Sequence, residues 1–291
     1  MISYQSIQEL VELAEKSKRK ISEVCLEDQA REMGKTEQEL YDEMERNFDV
    51  MVESAEWGKQ PGRKSTSGLT GGEGYAMTQY AAKSPIMGGF MGKAVATALA
   101  VSNCNAAMGR IVATPTAGSC GILPGCLIPM YKEKGVDKKD IVMSIFTAAA
   151  FGMVIANVAS IAGAQGGCQA ECGSASGMAA AALVEIQGGT PEQCANALGM
   201  SVVNQLGLVC DPVAGLVEIP CIKRNASGVV IAYSSADMAL AGIDLKIPVD
   251  ECIGAMKEVG DQMSATLKET AAGGLAATPT GKKLKEQVFG K

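Results

Sequence analysis

Histidine is absent from all 291 residues, so the chain lacks the side chain most often used as a general base near neutral pH and as a metal ligand. Aromatic residues are few, with five Phe, six Tyr and one Trp, which leaves no stacking platform for nucleobases. Positive charge is also short: 26 Lys and Arg stand against 32 Asp and Glu, giving a net charge of -6, and the basic residues are scattered. Without a basic stripe there is no footprint for a phosphate backbone, and nucleic acid is excluded as a partner. No Gly-Lys-Ser/Thr closes a phosphate loop and no GxGxxG follows a strand pattern, which argues against a nucleotide. The amino terminus, MISYQSIQELVELAEKSKRK, lacks the charged-then-apolar order of a secretory signal. The reading is therefore a cytoplasmic protein whose ten cysteines remain thiols. One charge-free stretch, Ile141 to Ala164, is long enough to cross a bilayer. It carries Ser144, Thr147, Asn157 and Ser160 and has no basic flank asymmetry, so it reads as a buried helix with no membrane contact.

What is present is apolar and small: 47% of residues are hydrophobic and 34 are glycine. That supply suits one large, mostly α domain, in which glycine-rich loops connect closely packed helices. Ile7, Leu10, Val11 and Ala14 repeat at helical spacing on a charged segment. Thr36 followed by Glu39 makes a capping box for a helix with Leu40, Met44, Met51 and Ala55 on one face, closed by Gly58 and Pro61. Thr190-Pro191-Glu192-Gln193 opens another helix, which is expected to deliver Cys210 near its end. GVVIAYSSA, around Val229, is the main helix-or-strand ambiguity. A composition change near Gly58–Gly62 divides outer helices (1–57) from a core (58–281), and residues 282–291 read as a solvated tail, all within a single domain spanning 1–291. VATPTAG at 112–118 echoes AATPTG at 276–281, too briefly to establish duplication.

Four glycine-rich connections, SGLTGGEG (67–74), MGGFMG (87–92), PTAGSCGILPG (115–125) and AGAQGGCQAECG (162–173), could let backbone amides approach a small anion or could simply be tight turns. Isolated cysteines such as Cys25, Cys104, Cys194 and Cys252 read as small core hydrophobes. Cys168 and Cys172 form CxxxC, which on a helix puts both thiols on one face, but Ala175 stands where a CxxxCxxC motif needs its third cysteine. Neither a dense ferredoxin run nor paired zinc knuckles occurs, which leaves dispersed ligands. Cys168, Cys210 and Cys221 are such a trio; three thiolates without a fourth partner suit an iron–sulfur cluster with one open iron, a Lewis acid.

The ordered string STSGLTGG, PTAGSCGILPG, GGCQAECGSASGMAAA, CDPVAG and IPCIKRN resembles the iron–sulfur-dependent bacterial L-serine dehydratases, specifically the α chain of their two-subunit form, from about Trp57 onward. The resemblance implies a [4Fe–4S] cluster on Cys168, Cys210 and Cys221, with Cys172 outside the ligand set. It implies conversion of L-serine to pyruvate and ammonia, in which the cluster polarises the substrate hydroxyl, and a separate β chain completing a shared site in a hetero-oligomer. Lys64, Ser65, Ser67 and Thr70 are the expected catalytic loop, with the amides of Gly71 and Gly72 on the substrate carboxylate. Arg110, Thr116, Gly118 and Ser119 are further expected substrate contacts, although Arg110 reads equally as a helix-end cation. Without histidine the base is a Lys, Tyr, Asp, Glu or Cys of this chain or a group of the β chain. Single-chain relatives can end in a cysteine that reaches the cluster, whereas this sequence ends in Phe289, Gly290 and Lys291, so an oxygen-sensitive open iron is expected. Alternatives are a related lyase acting on L-threonine or L-cysteine, a pyridoxal-phosphate enzyme using Lys64, and a non-catalytic iron–sulfur or zinc protein.

Overall fold

The computed structural model describes residues 4–290, and among them the architecture is α-helical, with one isolated bridge, Cys210 to Lys268, in place of any sheet. Helices α1 (Ile7–Ser17), α2 (Ile21–Met33) and α3 (Glu37–Gly58) form the outer layer. Ser6 caps α1, whose buried positions are Ile7, Leu10, Val11 and Ala14, the stripe expected from their spacing. Thr36 and Glu39 close the capping box of α3, satisfying amides that the first turn leaves unpaired. Gly58 ends that helix against the backbone of Ala100, where a Cβ would collide.

The inner layer is built differently. Helices α5 (Gly88–Ala106), α7 (Lys138–Val158) and α9 (Ser174–Ile186) are apolar on nearly all sides, and small residues let their neighbours close in. α9, buried from Ser174 to Glu185, packs against α6 (Ile122–Lys134), α7, α10 (Pro191–Val203) and α11 (Cys221–Leu240). α5 is enclosed by α3, α4 (Glu73–Ala81), α6 and α11. Helix α7 has the length and hydropathy of a membrane span, but 67% of its apolar window is buried inside the fold, as a core helix requires.

GVVIAYSSA lies wholly within α11, which settles it as helix. Thr190 and Gln193 cap α10 as expected, but α10 stops at Val203. Cys210 is therefore not on that helix, correcting the expectation: it sits in an extended segment whose amide donates to the Leu267 carbonyl at 2.8 Å, while its own carbonyl accepts from the Glu269 amide at 2.7 Å. The two short echoes serve different ends. The first is a loop with a cis Thr114–Pro115 peptide; in the second, Thr278 caps α13 (Pro279–Phe289) with Pro279 in its first turn. Thus the segment read as a tail is helical through Phe289, and it is exposed along most of its length. The remaining elements are α8 (Gly163–Gly166), a single π turn (Gln169–Gly173), α12 (Val249–Gln262) and three short 3-10 turns, Val213–Gly215, Ala265–Leu267 and Gly274–Ala277.

Candidate functional site

The π turn opens directly after Cys168 and holds Cys172, and the widened turn brings their sulfurs to 3.3 Å. The separation is symmetrical, but the contact with Cys172, assisted by Arg224, pulls the Cys168 thiol below the usual cysteine range against the effect of burial. Cys172, fully buried beside that charge, is driven far upward and keeps its proton. Burial raises Cys221 to about 12 and raises Cys210 as well, and each feels the charge of Cys168, so the three dispersed thiols converge on one locus. One glycine marks its limit: a Cβ on Gly163 would lie 2.9 Å from the Cys210 Sγ and 3.3 Å from a Glu269 carboxylate oxygen. Arg224, beginning one turn after Cys221, donates to the Val209 carbonyl and to Asp211, both at 2.8 Å, which fixes the Cys210 segment against α11.

Two loops meet this locus, and each is held by a buried glutamate that sequence reasoning did not single out. Glu218 accepts from the Ser67 hydroxyl at 2.7 Å and from the Thr70 hydroxyl at 2.6 Å. Ser65 joins them, 3.3 Å from the Ser67 oxygen and accepting from the Thr70 amide. Glu171, inside the π turn, accepts from the Thr116 hydroxyl, and its carboxylate fills the space a Gly118 side chain would need. Burial raises the Glu171 carboxyl above the ordinary range, while Thr116 and the Gly118 amide oppose that shift. Ser119 lies 3.1 Å from the Thr116 oxygen. Asn225 joins the pieces: its side chain accepts from the Gly121 amide and donates to the carbonyls of Gly118 and Cys221.

Thr116, Gly118 and Ser119 are thus tied to the cysteine segments through Glu171 and Asn225, while Ser65, Ser67 and Thr70 are gathered on Glu218, three residues before Cys221. Gly71 packs on the backbone of Arg63 and Lys64 at φ 137, and Gly72 at φ 83 starts α4. The Gly71 amide already donates to Glu73, whose carboxyl, despite burial, is held below its usual range by Lys223 and Asn103. Lys64 and Arg110 are exposed and make no ion pair among the described residues. The signals that could have revealed the missed residues are short: Glu171 lies between two cysteines, and Glu218 lies three residues before Cys221.

Among the described residues no three His, Cys, Asp or Glu side chains close to the tight shell of a single metal ion. An iron–sulfur cluster separates its thiolates around a larger body, and an all-thiol donor set beside a guanidinium fits such an anionic group. A surface cavity of about 590 Å³ between α2, α3 and α7 is lined by Arg19, Glu23, Glu37 and Lys139 and contains no thiol, so it is separate from this chemistry.

The chain is similar to known proteins over most of its length. The chain is 48% identical over 288 residues to the probable L-serine dehydratase, alpha chain, of Bacillus subtilis, covering 99% of this chain and 96% of the relative. It is 44% identical over 285 residues to the L-serine dehydratase, alpha chain, of Peptoniphilus asaccharolyticus, with 97% of each covered. The L-serine dehydratase of Streptomyces coelicolor is 45% identical over 181 residues, matching 62% of this chain but 40% of that longer protein. Residues 16–276 match the family of the serine dehydratase alpha chain, to which this protein therefore belongs.

Proposed function

We propose that this chain is the α subunit of an L-serine dehydratase that forms pyruvate and ammonia, and that Cys168, Cys210 and Cys221 hold a [4Fe–4S] cluster. The observation that carries the proposal is the convergence of those three thiols with two hydroxyl-bearing loops, each held by a buried glutamate. When bound, the cluster would supply a Lewis acid for the substrate hydroxyl, whose departure as hydroxide is otherwise unfavourable.

The chain's own groups have separable tasks in this reading. Arg224 sets positive charge beside Cys168 and ties the Cys210 segment to α11, keeping two thiol donors in register. Cys172 keeps its own proton, lies 3.3 Å from the Cys168 sulfur and stays outside the ligand set. Glu171 orients the Thr116 hydroxyl and the Gly118 loop over the π turn, and Ser119 extends that lining. Lys64 and Arg110, on the rims of the two loops, are the cations free to meet a substrate carboxylate, with the Gly71–Gly72 turn beside Lys64. Residues 58–281 are the core that carries these groups. Two relatives bear alpha-chain names, and the longer relative has length to spare beyond its match to this chain. Both facts support a second, β polypeptide completing the site in a cytoplasmic hetero-oligomer.

The test is an anaerobic assay of this chain with and without its β chain, using L-serine, L-threonine and L-cysteine. Pyruvate from L-serine, at a kcat/KM at least about tenfold above that of each competitor, is the expected result. Equal turnover of L-threonine or L-cysteine would move the substrate assignment, and no turnover by iron-loaded protein would return the chain to a non-catalytic role.

A further inference from the structure

Glu218 is an unusual carboxylate. Only 4% of its surface is exposed, yet among the described residues it makes no ion pair. Its partners are the two hydroxyls of Ser67 and Thr70, neither of which carries charge. Three neighbouring cations are engaged elsewhere: Lys223 donates to Glu73 at 2.7 Å, Arg224 pairs with Asp211 at 2.8 Å, and Arg63 lies over the Trp57 ring at 4.4 Å; Lys64, in the same loop, is exposed and makes no ion pair with Glu218. A carboxylate removed from water without a cation is costly, and two neutral donors recover only part of its hydration. The site therefore lacks one positive charge at Glu218.

Proton bookkeeping at the two hydroxyls points the same way. A hydroxyl has one proton to give, and both Ser67 and Thr70 give theirs to Glu218. Neither can then donate to a substrate carboxylate, the role the sequence suggested for this loop. What they retain is lone pairs. Ser67 uses one on the Leu69 amide at 3.0 Å and, its own proton being given to Glu218, the other on the Ser65 hydroxyl at 3.3 Å, while Thr70 receives no donor from the described residues. A carboxylate beside the Thr70 oxygen with its free lone pairs is an acceptor-only surface, and it sits three residues before Cys221 on the same segment. Ser67 is half-buried and Gly68 is exposed, so the loop is within reach of solvent.

We infer that Glu218, held by the Ser67 and Thr70 hydroxyls and assisted by the free lone pairs of Thr70, is the receptor for the α-ammonium group of the substrate. This deepens the serine dehydratase reading and rests on it for the identity of the ligand. A protonated primary amine has donors but no acceptor, matching the surface in both charge and hydrogen-bond sense. The receptor would also explain selection for an amino acid over a hydroxy acid: glycerate matches serine in carboxylate and β-hydroxyl but brings a neutral α-hydroxyl to Glu218.

The experiment uses the cluster-loaded holoenzyme under anaerobic conditions, with L-serine as substrate and L-glycerate as competitor. It reads KM, the glycerate inhibition constant, and the rise in unfolding temperature that each compound causes. The wild type is expected to prefer serine by roughly a hundredfold or more. Glu218→Gln should weaken serine by about tenfold to a hundredfold while changing glycerate by less than about twofold, with iron content intact. Thr70→Val, which leaves Glu218 in place, should lower the preference by about threefold or more and decides the matter if the first variant does not fold. A serine preference that survives both substitutions, or serine and glycerate weakening in parallel, overturns the receptor. If the wild type forms no pyruvate yet serine still raises its unfolding temperature more than glycerate does, the dehydratase reading falls and the ammonium receptor stands.

Discussion

The molecule contains two buried polar centres made from the same residue types. One joins Cys168, Cys210 and Cys221 to Glu171; the other, between α2, α7, α9 and α10, joins Cys25 and Cys194 to Glu185. In the second centre Glu185 accepts from the Ser22 amide at 3.2 Å, the hydroxyls of Ser22 and Thr147 face it, and Tyr4 lies against Cys25. Both thiols there are pushed up by burial, Cys25 to about 12, as Cys210 and Cys221 are in the first centre; what the second centre lacks is a thiol drawn down as Cys168 is by Cys172 and Arg224. The difference lies in delivery. The second centre's groups project mainly from helix interiors and are held by packing and by the Ser22 amide on Glu185. The first centre's arrive on loops, a π turn and helix ends, where a backbone can carry several polar groups to one point. Buried thiols and carboxylates do not by themselves make a site; a cation beside one thiol and glycines that leave room around the carboxylates do.

The sharpest way to break this comparison is to remove thiols from each centre. Cys168→Ala, Cys210→Ala or Cys221→Ala should each abolish stoichiometric iron and sulfide binding and reduce pyruvate formation by about 10³-fold or more. Cys25→Ala and Cys194→Ala should retain full iron, keep activity within about twofold and lose about 1 kcal/mol of stability. Metal analysis and chemical unfolding of the five proteins measure both effects.

Next in size is Gly118→Ala. Its new methyl must displace the Glu171 carboxylate, so kcat/KM should fall about a hundredfold while the unfolding midpoint moves little. Gly62→Ala is the control for a glycine with open space around it, at φ 75; it should cost only about 1 kcal/mol of stability and no activity.

In the second centre, Glu185→Ala should cost about 2 kcal/mol by leaving the Ser22 amide without its partner, with kcat/KM unchanged. The smallest effect is a pH dependence. Burial raises the folded carboxyl of Glu185 above its unfolded value, so the folded state binds more protons in the window between the two. Its contribution to stability is consequently most favourable below the unfolded pKa, and stability is lost as pH rises through the folded pKa. Glu185→Gln should flatten this slope above about pH 4.5 in urea titrations without affecting activity. A parallel slope in the variant would assign the dependence to other groups.

How far the sequence could be read follows the same division. Outer helices were legible because solvent on one side imposes periodicity: the stripe of Ile7, Leu10, Val11 and Ala14 and the caps at Thr36 and Thr190 appear in the fold as expected. Inner helices such as α9 are buried all round and have no polar face to mark their phase, whereas GVVIAYSSA was ambiguous because its β-branched run masks the helical spacing of the buried Val229, Ala232 and Ala236. Cys210 was displaced from its expected helix because a segment 58 residues later pairs with it, a contact no local pattern encodes. Glu218 and Thr70 meet across 148 residues, and Asn225 and Gly118 across 107, so the groups that organise the site were invisible to spacing. The hydroxyl loops themselves stood out through their glycines, but the direction of their protons depends on partners only the fold supplies.

The most direct test of the account is the Mössbauer spectrum of the iron-57-loaded, anaerobic αβ protein, recorded before and after addition of L-serine. The account predicts a [4Fe–4S] signature in which about one iron in four changes environment when substrate binds. A spectrum unchanged by serine, or iron retained after replacement of Cys168, Cys210 and Cys221 together, would contradict it.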